Sequence, residues 1–155
     1  MAIAASKRAG DTVESAVLQR YPELRHVSDD VEEHYDAVTV SLLSPSRDLP
    51  FVGLCLLEVG TVVEIKSAMV VYGENQRRGR FLIRENQHEH LLEEGGVYLF
   101  AVCAPTPERD IIAAKVVPAS LVDEFEFSWV SRKTRSSYAQ FAWSRVFAPK
   151  EVEGQ

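Results

Sequence analysis

The chain has 155 residues and a mass of 17.4 kDa, which is enough for one domain with a single hydrophobic core. Hydrophobic residues make up 46% of the chain and charged residues 26%, proportions that exclude wholesale disorder. The formal net charge of −6 excludes a protein that coats nucleic acid through bulk positive charge, but it is compatible with a local basic groove.

The cellular compartment can be predicted from apolar runs and cysteines. No apolar run reaches the roughly 18–20 residues that a membrane helix needs, and the first residues lack the continuous apolar segment of a secretory signal. The two cysteines, Cys55 and Cys103, stand in apolar surroundings, which favours a reducing compartment over a disulfide scaffold. We therefore expect a cytoplasmic protein with no membrane partner.

The first predicted element is a helix that follows a flexible start at residues 1–10. Asp11 or Thr12 is its expected N-cap, and the apolar residues after them recur at helical spacing. Pro22 predicts the end of this helix or its last turn.

Three strand-like runs follow the helix, and the second and third are expected to form a hairpin. Their bounds are 37–43, 51–57 and 61–71. The turn Val59-Gly60 joins the last two runs, because its glycine can adopt a positive φ. A two-residue turn at this point places Cys55 opposite Glu64.

The second half of the chain predicts further strands around one helix. In order, these are a strand at 80–83, a helix at 86–94, a buried strand at 97–103 and a strand at 111–117. Residues 128–155 are rich in aromatic side chains and predict a C-terminal cap or tail packed over the sheet. The expected fold class is α/β (α+β), a single domain over residues 1–155 with a central mixed β-sheet flanked by helices.

The sharpest chemical feature is the pair Glu64 and Lys66 in the third predicted strand. Their side chains share one face of the strand, since strand side chains alternate between faces. A carboxylate and an ammonium in mid-strand cost free energy unless that face is wet or functional. The structural alternative is a solvated surface ion pair, worth under about 1 kcal/mol.

The order of elements around this pair resembles the PD-(D/E)XK nuclease superfamily, with its restriction-endonuclease-like core. The resembling stretches are GDTVES in the first helix, YDAVTV at the first strand, GTVVEIKSA at the central strand, and GRFLIRENQHEHLL and VYLFAV after it. They span most of residues 10–103. The acid-x-lysine triplet occurs in many proteins, but here it follows a predicted hairpin and precedes a Gln-His helix, which makes it more specific.

The resemblance implies Mg²⁺-dependent hydrolysis of phosphodiester bonds in DNA, with Mn²⁺ as a substitute ion. In that reading, Glu64 and a second carboxylate hold the ion, and Glu14 of the first helix completes its shell through a water. Lys66 orients or helps to deprotonate the attacking water and stabilises the developing negative charge. Gln87 points at the site from the second helix. Small domains of this kind often pair to cut both strands, which makes a homodimer a further expectation.

The identity of the second carboxylate stays open, because the hairpin register offers Cys55 rather than an acid opposite Glu64. Asp36, which lies 28 residues before Glu64, is favoured over Glu58 in the turn. If neither reaches the site, the metal loses a ligand. The alternative functions are then a catalytically inactive nuclease-like fold that binds nucleic acid or serves in assembly, and a protein-interaction domain in which Glu64 and Lys66 are a surface pair.

Two groups of basic residues are candidate contacts to nucleic acid. The first group is Arg77, Arg78, Arg80 and Arg84; the second is Arg132, Lys133, Arg135 and Arg145, which is interleaved with aromatic residues. A solvated face is the alternative for the first group, and core packing is the better interpretation of the aromatic residues.

His88 and His90 are interpreted as ordinary surface or helix-cap histidines. A zinc site is disfavoured, because residues at i and i+2 do not share a helix face.

Overall fold

The structure is a computed structural model that describes residues 13–19, 24–27, 37–39, 59–71, 77–106 and 110–153. The elements in chain order are α1 (13–19), β1 (Leu24–His26), β2 (Ala37–Thr39), β3 (Val62–Met69), β4 (Arg80–Arg84), α2 (Glu85–Glu94), β5 (Val97–Cys103), β6 (Ile111–Pro118), α3 (Ala119–Val122), β7 (Tyr138–Ala142), a 3-10 helix (Trp143–Arg145) and α4 (Pro149–Glu153). None of the helices within these ranges combines the length and the apolar character that a bilayer crossing needs.

The strands of the described ranges form a five-stranded sheet in the order β1-β2-β3-β5-β6 and a two-stranded sheet of β4 and β7. In the larger sheet β3 and β5 are parallel, and every other neighbouring pair is antiparallel. The chain reaches β5 from β3 through β4 and α2, since parallel neighbours need a crossover connection. The predicted α+β class with a central mixed sheet is confirmed.

The two central strands are buried because both faces of the sheet are covered. All seven residues of β5 are buried, as its uninterrupted apolar sequence predicts. On one face, Val63 and Ile65 of β3 join a core cluster with Val13 and Val17 of α1. The other face packs against α2, α3 and the β4–β7 sheet. The alternation of side chains along β3 therefore turns Glu64 towards the layer that contains α2.

The β4–β7 sheet is fixed to the main sheet by aromatic packing and by backbone hydrogen bonds. The rings of Phe81 in β4 and Phe100 in β5 have centroids 4.6 Å apart. Near the end of β3, Gly79 donates its backbone N–H to Met69 O at 3.1 Å and accepts one from Trp143 N at 3.1 Å. The indole Nε1–H of Trp143 donates to Val70 O at 2.8 Å. These bonds set the position of β4 and therefore the start of α2.

Helix α2 ends as its sequence predicts. Gly95 adopts the left-handed conformation with a φ of 66°, and its N–H bonds to Leu92 O at 3.3 Å. The N–H of Gly96 bonds to Leu91 O at 2.7 Å, so two of the last carbonyls of the helix are satisfied.

The predicted hairpin register is wrong at the first two residues of β3. Ala37 pairs there with Val63, and Val38 pairs with Val62, so β2 occupies the edge that the hairpin assigned to the run 51–57. A register deduced from a short turn assumes that the strand next in sequence is also the neighbour in the sheet, and here a strand from further up the chain takes that place. The run 51–57 itself lies outside the described residues.

The aromatic C-terminal segment contains β7, and its apolar side chains pack into the core cluster on one face of the sheet. Phe141, Trp143 and Phe147 are buried, which confirms core packing for these three side chains. The segment 1–10 and the expected N-cap residues of α1 lie outside the described residues.

The close approach of Gly79 to β3 gives a test of how the two sheets are joined. A Cβ atom at Gly79 would lie 2.0 Å from Met69 O, whereas one at Gly95 would meet nothing within 4 Å. We expect Gly95→Ala to lower the free energy of unfolding by about 1 kcal/mol through its left-handed backbone. Gly79→Ala should lower it by more, roughly 1–3 kcal/mol or above, because the backbones must separate. Urea denaturation of both variants measures this, and an equal or smaller loss for Gly79→Ala would contradict it.

Candidate active site

Glu64 and Lys66 form a buried ion pair in the middle of the central sheet. The Lys66 Nζ lies 3.1 Å from Glu64 Oε2, and the side chains are 17% and 3% exposed, respectively. A solvated surface pair does not have this burial, so the interpretation of Glu64 and Lys66 as a surface pair is wrong. A buried carboxylate needs a counter-charge, and Lys66 supplies it.

Gln87 is the second partner of Lys66. Helix α2 starts directly after β4, and its first turn lies over β3, where Gln87 is buried. The ammonium of Lys66 donates a hydrogen bond to Gln87 Oε1 at 3.3 Å. The structure thus brings together the three side chains to which the sequence assigns catalytic roles, with Lys66 between a carboxylate and an amide oxygen.

The start of α2 is held in place by the segment that leads into β7. Glu85 donates its backbone N–H to Ser137 O at 2.8 Å, and Asn86 donates its own to Ser136 Oγ at 3.1 Å. The side chain of Asn86 accepts the N–H of Gln87 at 2.8 Å. These contacts satisfy donors of the first helical turn and fix the direction in which Gln87 leaves the helix.

His88 belongs to a hydrogen-bonded chain behind the ion pair. Its Nδ1 lies 2.9 Å from the Tyr98 hydroxyl, and its Nε2 lies 3.0 Å from Asp123 Oδ1. A carboxylate only accepts, so Nε2–H donates to Asp123, and in the neutral imidazole Nδ1 accepts from Tyr98. His88 is 1% exposed, so its interpretation as a surface histidine is wrong. The structure places His90 at intermediate exposure.

Tyr98 is the member of this hydrogen-bonded series that neighbours Glu64 in the sheet. The parallel register of β3 and β5 pairs Glu64 with Tyr98. Burial, together with the negative charges of Glu64 and Asp123, raises the pKa of the Tyr98 phenol well above its usual range. Tyr98 is therefore a neutral donor beside the buried carboxylate. Sequence reasoning missed Tyr98, because a tyrosine inside an apolar strand is typical of core packing.

Three metal ligands are predicted, and among the described residues Glu64 is the one that lies at the ion pair. Asp36 and its alternative Glu58 lie outside the described residues. Glu14 is half-buried on α1, the helix that packs on the opposite face of the sheet through Val13 and Val17. Within the described ranges, no three His, Cys, Asp or Glu side chains are grouped so as to hold a metal ion.

The four arginines of the first basic group are all exposed, as a nucleic-acid contact requires. Arg80 and Arg84 begin and end β4, and Arg77 and Arg78 precede it. The guanidinium of Arg78 lies 5.0 Å from the centroid of the Trp143 ring. The first basic group therefore lies on the strand that leads into α2 and Gln87.

Comparison with known families agrees with this architecture. A family model described as a PD-(D/E)XK nuclease superfamily domain matches residues 2–148. The chain therefore belongs to the PD-(D/E)XK nuclease superfamily, which confirms the resemblance drawn from its motifs. Nucleases of this superfamily generally use divalent metal ions. Neither the curated proteins nor the solved structures contain a significant match to the chain.

The raised pKa of Tyr98 predicts a specific loss of stability in alkali. Below an unfolded-state pKa of about 10 both states keep the phenolic proton, so Tyr98 adds no pH dependence there. Above it the unfolded state ionises while folded Tyr98 does not, and the free energy of unfolding falls by up to about 1.4 kcal/mol per pH unit. Tyr98→Phe should remove this fall in the free energy of unfolding between pH 10 and 11.5. Between pH 7 and 9 the free energies of the parent and the variant should change in parallel. Urea denaturation across this range measures both profiles, and identical slopes above pH 10 would contradict the assignment.

Proposed function

We propose that the protein is a metal-dependent nuclease that hydrolyses phosphodiester bonds in DNA at a centre formed by Glu64, Lys66 and Gln87. The observation that supports this most is the placement of the Lys66 ammonium, 3.1 Å from a buried carboxylate and 3.3 Å from a buried amide. Burial of an ion pair is weak evidence for stability by itself, since desolvation offsets much of the Coulomb attraction. Its position in a nuclease superfamily domain, on the predicted acid-x-lysine motif, favours a catalytic role.

Lys66 would act on the phosphate and on the attacking water. An ammonium has three donors, and two are directed at Glu64 and Gln87, which leaves one for a phosphate oxygen or a water. Charge stabilisation by a fixed donor is strong in a site that excludes water, because the donor does not have to reorient during the reaction. In this account Gln87 positions Lys66, and Glu64 keeps the ammonium directed into the site.

The carboxylate placed at the ion pair is of the type that binds hard divalent cations, and we propose Mg²⁺ as the ion, with Mn²⁺ as a substitute. Glu64 offers carboxylate oxygens, the ligand type that Mg²⁺ prefers. Such an ion supplies Lewis-acid chemistry, which favours ionisation of water near neutral pH and offsets the charge of the phosphate. Asp36 would be the second ligand. Asp36 directly precedes Ala37 in sequence, and Ala37 pairs with Val63, the neighbour of Glu64, which supports the proposal of Asp36 over Glu58.

Two further parts of the proposal concern the metal shell and the assembly. Glu14 would complete the metal shell through a water. Because α1 packs on the face of the sheet opposite to Glu64, Glu14 would have to reach the ion around the end of β3. We assign the activity to one domain over residues 1–155. A homodimer would present two centres to the two strands of a duplex.

The alternative proposal is a nuclease-like fold that binds nucleic acid or serves in assembly without cutting it. It would apply if neither Asp36 nor Glu58 supplies a second ligand, because Glu64 would then be the only predicted carboxylate at the ion pair. In that case the ion pair and its partners would be retained for structure alone.

Cleavage assays with matched variants test this proposal. Metal-dependent cutting of labelled DNA in Mg²⁺ or Mn²⁺ should fall by at least about 10²-fold in Glu64→Gln, which removes a charged metal ligand, and in Lys66→Met, which removes the ammonium that acts on the reacting phosphate. Asp36→Asn should show a comparable loss, and Gln87→Ala a smaller one. Glu89→Gln changes an exposed carboxylate of α2 and is the control that should retain activity.

Two outcomes would contradict the catalytic proposal. Cutting that survives both Glu64→Gln and Lys66→Met would remove these residues from the centre. Binding that weakens steeply with salt, in the absence of any metal-dependent cutting by the parent protein, would favour the inactive binding module.

A further inference from the structure

The structure joins the two basic groups of the sequence into one surface. Residues 77–84 and 130–145 contain eight of the 17 Lys and Arg residues of the chain and none of its 23 Asp and Glu residues. These segments include β4 and β7, which pair antiparallel from Arg80 opposite Ala142 to Arg84 opposite Tyr138. We call residues 77–84 and 130–145 the basic ribbon. A chain with a net charge of −6 therefore has two paired segments that contain basic residues and no acidic ones.

The two faces of the ribbon differ in character. Phe81 and Ile83 of β4 are buried towards the main sheet, whereas Arg80 and Arg84 are exposed on the outer face. In the described part of the chain Arg80, Arg84, Lys133 and Arg135 are exposed and have no carboxylate partner. Like charges gathered in this way repel one another, and a bound polyanion removes that cost.

Two aromatic side chains of the ribbon, Tyr138 and Trp143, lie under arginines, and the other two, Phe81 and Phe141, are buried in the core. The guanidinium of Arg132 lies 4.8 Å from the Tyr138 ring centroid and donates to Ser136 O through Nε and Nη2, at 3.0 and 2.7 Å. Trp143 is 1% exposed, and Arg78 lies over its ring. Proteins that hold single strands need open aromatic faces on which bases stack. This surface instead offers charges, which match phosphates.

The ribbon ends at the candidate active site. Arg84 is the last residue of β4 and the N-cap residue of α2, three positions before Gln87, which bonds Lys66. Arg80 and Arg84 are separated by four strand residues, or about 13 Å. That exceeds the 3.4 Å axial spacing of phosphates along one strand, so each arginine can contact a phosphate of its own. A duplex held along β4 would therefore have one end of its contact surface at the start of the helix that carries Gln87.

We infer that the basic ribbon is the substrate-binding surface, and that it holds the sugar–phosphate backbone of duplex DNA through charge, without stacking on bases and without reading sequence. The identity of the polyanion rests on the proposed function, whereas the surface and its mode of contact rest on the charge distribution and on the covered aromatic rings. Arg132, Lys133, Arg135 and Arg145 join the first basic group in this surface.

A binding experiment with charge-matched variants tests the inference. The probes are a fluorescent 30-base-pair DNA duplex and a single strand of the same length, titrated with the full chain in chelator across a range of salt concentrations. Arg84→Gln/Arg135→Gln removes two ribbon charges, and Arg25→Gln/Lys150→Gln removes two exposed charges elsewhere, so both variants have the same net charge. Equal thermal midpoints show that both are folded.

The ribbon variant should bind the duplex roughly 10- to 100-fold more weakly than the parent at 0.1 M salt. Its slope of log K against log salt should be smaller by about 1.8, which corresponds to two lost phosphate contacts. The charge-matched control should bind within about twofold of the parent. Duplexes of different sequence should bind alike, and Tyr138→Leu should not weaken binding of the single strand relative to the duplex.

Three outcomes would overturn the inference. They are an equal loss in the ribbon variant and the control, preferential binding of the single strand that depends on Tyr138, and no binding of DNA by the parent. The chelator prevents metal-dependent cleavage, so this assay measures DNA binding alone. The proposed nuclease activity and the proposed binding surface can therefore be refuted independently. A parent that binds through the ribbon but never cuts with metal keeps the inference and refutes the proposed function, whereas cutting that is unchanged by the ribbon variant at 0.1 M salt refutes the inference alone.

Discussion

The buried ion pair of Glu64 and Lys66 is the constraint on which the rest of the site depends. Moving a carboxylate and an ammonium out of water costs several kcal/mol per ion, and loss of one partner from such a pair typically costs 3–5 kcal/mol. The chain offsets this with a 3.1 Å contact between the two charges and a bond from Lys66 to Gln87. The surrounding elements are placed so that these partners meet.

The elements that surround the pair are tied to one another by hydrogen bonds. Backbone contacts of Gly79 and Trp143 tie the β4–β7 sheet to the end of β3, and contacts of Ser136 and Ser137 tie the start of α2 to the entry of β7. One connected set of hydrogen bonds therefore positions both Gln87 and the basic ribbon. The acidic total charge conceals a local concentration of positive charge, because eight of the 17 basic residues lie in the basic ribbon.

Local sequence predicts those features of the fold that depend on local physics. The apolar run of β5 predicts a strand that is buried on both faces, and Gly95 predicts the end of α2. Glu64, Lys66 and Gln87 can also be selected from the sequence as candidate site residues, because strand alternation and the family resemblance point to them. The burial of His88 and the pairing of Tyr98 with Glu64 could not, because they depend on which strands become neighbours. The same limit explains the wrong register at Val63, where β2 replaces the strand expected from the adjacent turn.

The most direct test of whether Glu64 holds a metal ion is a Mn²⁺ titration. Electron paramagnetic resonance measures the concentration of the free ion at each step. We expect a site whose Mn²⁺ affinity falls at least about tenfold in Glu64→Gln, because one carboxylate ligand is lost, and which persists in Lys66→Met, because the lysine is not a ligand. Glu89→Gln should bind as the parent does. Equal Mn²⁺ affinity in the parent and in Glu64→Gln would contradict the account, since the buried carboxylate would then not hold the metal.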